Sequence, residues 1–186
     1  MSMTRDTEPR IDVETLGTMR ALRTVVFSLG ANLGDTIDTL QGAVDLICET
    51  PGAMPVGVSP VYLTTPVGKA DQPDFHNLVL VVESTLEPRT LLERGLAIED
   101  GYGRERLEVN GPRVIDVDLI QVGHQRIDEP DLKLPHPRAF ERAFVLVPWA
   151  DVEPDAELEG RGPIADLLSG MDTSGVRKVG QEVTLS

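Results

Sequence analysis

Cysteine is almost missing from this 186-residue chain: Cys48 stands alone, which excludes an intrachain disulfide and a thiolate metal centre. Cys48 lies in an apolar helical pattern and reads as inert core. Aromatic residues make up only 4%. Positive charge is scarce as well, 17 Lys and Arg against 31 Asp and Glu for a net charge of −14. A chain this acidic and this poor in aromatics does not suit a nucleic acid or an anionic membrane, because an RNA-binding domain of similar size needs exposed rings and a basic surface. No apolar run approaches the length of a membrane span, and the first residues lack the apolar middle of a signal peptide. A cytoplasmic protein without a membrane partner is therefore expected.

The remaining composition, 40% hydrophobic and 26% charged, is that of an ordinary globular protein, and the length fits one domain. Residues 1–22 are polar without a sustained period and read as a flexible extension; residues 23–186 read as the domain, with 152–186 as a peripheral acidic tail. Within the domain, Thr24–Leu29 is β-branched and apolar, a central strand. Asp35 is placed to cap a helix reaching Glu49 that buries Leu40, Val44 and Ile47. The intervening Gly30-Ala31-Asn32-Leu33-Gly34 has neither the spacing nor the lysine of a phosphate-binding loop. Residues 56–64 and 75–83 read as strands around a Gly- and Pro-rich loop, Thr65–Pro73. Pro88 opens a second helix, to about Tyr102, burying Leu91, Leu92, Leu96 and Ile98 or a close subset of them. Gly123-His124 reads as a hairpin turn leading to Gln125–Ile127, and Val145–Trp149 as a short apolar helix. The order β-α-β-β-α-β predicts an α+β ferredoxin-like sandwich with an antiparallel sheet, an extra C-terminal hairpin and short helices.

The chemistry concentrates in Gly111-Pro112-Arg113-Val114-Ile115-Asp116-Val117-Asp118-Leu119-Ile120. Residues 114–122 alternate with period two, so Asp116 and Asp118 share one strand face and Ile115, Val117 and Leu119 the other. Two adjacent carboxylates repel unless a divalent cation lies between them, and carboxylates plus phosphate oxygens are a usual Mg²⁺ environment. A solvated strand face carrying two aspartates is the alternative. Seven cations, from Arg104 to Arg142, gather in this acidic chain, which suits a polyphosphate or is an ordinary basic patch.

The flanking segments carry a specific resemblance. Ser28–Asp35, Thr64-Thr65-Pro66-Val67-Gly68, Asp71–Asn77, Gly103-Arg104-Glu105-Arg106, Leu134-Pro135-His136-Pro137-Arg138 and Arg142-Ala143-Phe144, in this order with the decapeptide, resemble 6-hydroxymethyl-7,8-dihydropterin pyrophosphokinase of folate synthesis. The resemblance covers about Val25 to Trp149 and implies the same fold. It implies transfer of the β,γ-pyrophosphoryl group of ATP to the hydroxymethyl oxygen of the pterin, releasing AMP. Another Mg²⁺-dependent phosphoryl or nucleotidyl transferase acting on a small heterocycle is the alternative.

What the resemblance implies for the site is detailed. Asp116 and Asp118 would hold two Mg²⁺ ions, with Arg104 and Arg113 as further catalytic groups. Glu99, Arg106, Leu119, Lys133, His136 and Arg142 would bind ATP. Thr64, Thr65, Val67, Phe75, Asn77 and Phe144 would bind the pterin, Asn77 through its amide and Phe144 by stacking. Val109-Asn110 replace the basic and aromatic pair many members carry before Gly-Pro-Arg, and Pro137 stands where some have an aromatic. The partners expected are ATP and the pterin, with neighbouring folate enzymes as a further option, and the chain is expected to be a monomer.

Overall fold

The computed structural model describes residues 20–66, 71–103 and 111–186. Strand β1, Arg23–Ala31, runs through the middle of an antiparallel sheet, and Val25–Ala31 are all buried. It pairs on one side with β4, Phe75–Ser84, and on the other with β5, Asp116–Val122. Alternate residues of these strands enter two separate cores. Val25, Phe27, Leu29, Leu78, Leu80 and Val82 face one, while Val26, Val79, Val81 and Ile120 face the other. Because both faces are covered, β1 and β4 read in sequence as continuous apolar runs.

Helices α1 (Thr36–Cys48) and α2 (Pro88–Gly101) cover the first face. The Asp35 side chain accepts the Asp38 amide at 3.1 Å, capping α1 as its residue type predicts. Helix α2 approaches β5 closely at Gly95, where a β-carbon would come within 3.2 Å of Val117 Cγ1. The second face is covered by α3 (Ala143–Val152) and α4 (Ile164–Ser169), through Val145, Leu146, Trp149 and Ile164.

The single strand expected over 56–64 is two: β2, Ala53–Val58, and β3, Tyr62–Thr64, both paired with β4. Pro60 lacks an amide hydrogen and interrupts the ladder. Ser59 bridges the gap, donating its amide to Val79 O and accepting the Val79 amide on Oγ, both at 2.9 Å.

Three expectations are corrected. Leu96 is 37% exposed rather than core, and the inner stripe of α2 is Leu91, Gly95, Ile98 and Glu99. The turn at Gly123 is present, with φ +52°. The following β6, Ile127–Asp128, however, pairs with β7, Lys133–Leu134, instead of folding back on β5. Residues 152–186 are not simply peripheral. Leu158 and Ile164 are core residues and Val183 is 4% exposed in the first core, while β10, Val176–Lys178, pairs with β3 at the sheet edge. Acidic composition hid these contacts because a few scattered apolar residues make them. Residues 1–19 of the expected extension lie outside the described residues.

Candidate active site

The register of the central strands sets out the site. Asn77 of β4 lies opposite Gly30 of β1, and Gly30 lies opposite Asp116 of β5; two pairs further on, Ser28 faces Asp118. Directly opposed residues project to the same face, so Asn77, Gly30, Asp116 and Asp118 all open onto the face carrying α3. Two strand spacings, about 10 Å, separate Asn77 from Asp116. Gly30 leaves the floor between them clear, since a β-carbon there would fall 2.5 Å from Asn77 Oδ1.

Around Asn77 the polar groups satisfy one another. Asn77 is 5% exposed, and its Nδ2 donates to Thr64 Oγ1. Thr64 pairs with Phe75 in the ladder, and Phe75 Cδ1 lies 3.8 Å from the β-carbon position of Gly30. Thr65 follows on the exposed side of Thr64. Three residues of the expected pterin set, Thr64, Phe75 and Asn77, thus converge on one spot. Val67 lies outside the described residues.

The two aspartates are half-buried and held by arginines. Arg113 Nη1 sits 2.9 Å from Asp116 Oδ2, and Arg142 Nη1 donates to Asp118 Oδ2 at 3.3 Å. Arg142 immediately precedes α3, and its guanidinium lies 5.5 Å from the Phe144 ring, which brings Phe144 to the carboxylate end. The carboxylates fit a hard cation. Among the described residues no cluster of three or more His, Cys, Asp or Glu could hold a metal by itself. A pair of carboxylates suits a cation that arrives with further oxygens on its ligand.

A cleft of about 310 Å³ opens along the outer edge of β5. Leu92, Leu96 and Glu99 form one wall, Pro130–Lys133 and His136 the other, with Asp118 and Leu119 at its base. Four residues of the expected ATP set, Glu99, Leu119, Lys133 and His136, therefore line a single cavity. Glu99 is 1% exposed, and its Oε1 accepts the outward-facing Val117 amide at 2.8 Å, tying α2 to the edge strand. Lys133 pairs with Asp128 across β6 and β7. His136 is tied to β5 by its amide on Ile120 O at 2.8 Å. Its Nδ1 accepts the Arg138 amide at 3.2 Å, leaving Nε2 to carry the proton. Burial, reinforced by the Arg142 and Arg138 charges, pushes the imidazole pKa down to about 4. Arg104 and Arg106 lie outside the described residues.

Asn32 was not anticipated as a functional residue. It is 3% exposed and donates to Gln72 Oε1 at 3.1 Å and Pro73 O at 3.0 Å, while its Oδ1 accepts the Arg113 amide at 2.8 Å. One side chain thus ties the loop after Asp71 to the segment bearing Arg113. A buried amide following a strand was the available signal, but its partners are distant in sequence.

Fold and site together define an α+β protein that gathers oxygen donors and guanidinium groups at one end of an antiparallel sheet, beside a cleft and a polar pocket. A 7,8-dihydro-6-hydroxymethylpterin-pyrophosphokinase family model matches residues 26–154. The chain is 38% identical over 158 residues to a Pseudomonas aeruginosa 2-amino-4-hydroxy-6-hydroxymethyldihydropteridine pyrophosphokinase, covering 85% of this chain and 98% of that protein. Its identity to the protein of the same description from Methylorubrum extorquens is 40% over 151 residues, covering 81% and 95%. In fold it is similar to Plasmodium falciparum HPPK-DHPS, with a TM-score of 0.65 and 16% identity over 86% of this chain. It spans about half, 46%, of that longer chain. The chain belongs to the 7,8-dihydro-6-hydroxymethylpterin-pyrophosphokinase family.

Proposed function

We propose that the row Asn77–Gly30–Asp116 is the reaction axis of this enzyme, with the pterin seated at the Asn77 end and the polyphosphate of ATP at the aspartates. The protein is a transferase of folate synthesis that moves a pyrophosphoryl group from ATP to the hydroxymethyl group of the dihydropterin. The observation that carries the reading is the common face and end shared by the Thr64–Phe75–Asn77 cluster and the Asp116–Asp118 pair.

The pterin hydroxyl attacks the β-phosphorus in line, a new O–P bond forms, and the bond between the β-phosphorus and the α,β-bridging oxygen breaks, so AMP leaves. Asn77 and the backbone around Thr64 and Thr65 read the polar edge of the heterocycle, with Phe75 and Phe144 supplying faces to it. Asp116 and Asp118 would hold two Mg²⁺ ions. Bound magnesium would supply charge neutralisation on phosphate oxygens and favour loss of the alcohol proton. Arg113 and Arg142, now on the carboxylates, would turn to the phosphates, where the planar guanidinium grips two oxygens. Arg104 and Arg106 take the same role on the strength of the family resemblance. His136, neutral and with its proton on Nε2, donates to a phosphate oxygen. Leu119, Glu99 and Lys133 line the space for the nucleoside.

The strand order, in which β2 and β3 together form one broken strand beside β4, supports the ferredoxin-like description of a single domain. We further read the protein as a cytoplasmic monomer. Among the described residues no helix is long and apolar enough to cross a membrane.

The test is AMP release from ATP and Mg²⁺ with and without 6-hydroxymethyl-7,8-dihydropterin. Pterin-dependent AMP, with no ADP, is expected. ADP as the nucleotide product, or AMP formed equally without the pterin, would overturn the reading.

A further inference from the structure

We propose that Arg89 is a positioning residue for the nucleotide, clasping the outer mouth of the cleft along β5; this rests on the reading of that cleft as the ATP site. Arg89, Leu92, Leu96 and Glu99 follow one another at spacings of three, four and three, so they form one stripe along α2. The last three of these line the cleft, and Arg89 is the outermost member, one residue after Pro88 begins the helix. Across the mouth stands the turn between β6 and β7, closed on itself by the Glu129 amide on Leu132 O at 2.9 Å. Arg89 reaches it with both arms. Nη1 lies 2.9 Å from Asp131 Oδ2 and Nη2 3.1 Å from Asp131 Oδ1, while Nη2 also bonds Glu129 Oε2.

This contact has two consequences for a nucleotide. It sets the separation of the two walls, because Pro130, Asp131 and Leu132 line the cleft opposite Leu92 and Leu96. It also offsets one of the two negative charges of Glu129 and Asp131, which would otherwise both face an incoming polyanion. Arg89 makes no contact with the aspartates or the pterin cluster in these bonds, so its effect falls on nucleotide binding and not on the chemical step. A fork gripping a carboxylate at two points is geometrically specific, and a lysine there would not reproduce it.

The experiment titrates the full chain with α,β-methylene ATP and Mg²⁺, an analogue inert at the bond the reaction breaks, and measures steady-state KM and kcat for ATP. Arg89→Ala is expected to weaken analogue binding by about two- to fivefold, the upper part of the range for exposed ion pairs. KM for ATP should rise by a similar factor, with KM for the pterin and kcat changed less than about twofold. The charge swap Arg89→Glu with Asp131→Arg should recover most of the lost affinity, whereas each swap alone should not. Unchanged binding in Arg89→Ala, a loss confined to kcat, or a double swap no better than its worse single variant would each overturn the clasp. If the unaltered protein fails to bind the analogue, the nucleotide assignment itself falls and takes the clasp with it. Unaltered affinity in the protein beside a normal Arg89→Ala would instead leave the ATP site standing and refute the clasp alone.

Discussion

On the Asn77 side of the sheet, short polar groups satisfy one another inside regular strands. On the β5 side, carboxylates, guanidiniums and a lysine are held by partly exposed ion pairs. The first arrangement suits the neutral heterocycle proposed for it: Asn77 and Thr64 are each 5% exposed, so their geometry is set before any ligand arrives. The second suits the proposed polyphosphate, a charged ligand that would compete for the same groups. Arg113 and Arg142 occupy the carboxylates at 2.9 and 3.3 Å, and partly exposed ion pairs of this sort can exchange partners when a phosphate arrives. On the proposed reading, specificity on one side would come from groups left unpaired by the wrong ligand, and on the other from charge and its rearrangement.

The sharpest way to break this contrast is Asp118→Ala. Turnover should fall by about a thousandfold or more, since the charge-handling centre loses one of its two carboxylates, while far-UV circular dichroism and the melting transition remain those of a folded chain. Near-normal activity with Mg²⁺ would show that the aspartate pair is not the cation site. Next in size, Asn77→Ala removes a matched amide from the rigid side. It should raise the KM for the pterin by up to about a hundredfold, and unpairing Thr64 should cost about 1–3 kcal/mol of stability, checked by kinetics and denaturant melts. KM for ATP should barely move.

Gly30→Ala tests the shared floor. Its β-carbon would fall 2.5 Å from Asn77 Oδ1, so the amide must shift; a loss of about tenfold in kcat/KM for the pterin is expected, larger than that for ATP. The smallest effect concerns pH. His136 has an ordinary pKa of 6.5 lowered to about 4 in the fold, chiefly by burial. Between those values the unfolded chain binds the extra proton and the folded chain does not. Stability therefore has the full His136 contribution above about pH 6.5 and loses it as pH falls toward 4. Urea melts over that range should show a shallower slope for His136→Asn than for the unaltered protein.

Much of the fold was legible because it rests on local periodicity. Asp35 is a good cap wherever a helix follows, and the alternation of Val114–Val122 places Asp116 and Asp118 together however the strand is paired. Glu99 was harder to interpret. On the sequence it could be a surface glutamate at a helix end, and its burial against the Val117 amide exists only because β5 is an edge strand with an amide facing outward. Asn32 and Arg89 were missed for the same reason, since their partners are 40 or more residues away.

By itself, the sequence determined the facing of the paired aspartates, the caps and breaks of the helices, and the ordered motifs that mark the family, because each depends on neighbours within a few residues. Only the tertiary structure decided that β6 pairs with β7, that Val183 returns to the core, and that Asn77, Gly30 and Asp116 stand in one row. Those facts depend on which strands lie side by side, and strand partnership is set by the packing of the whole sheet between its helices, not by any one segment.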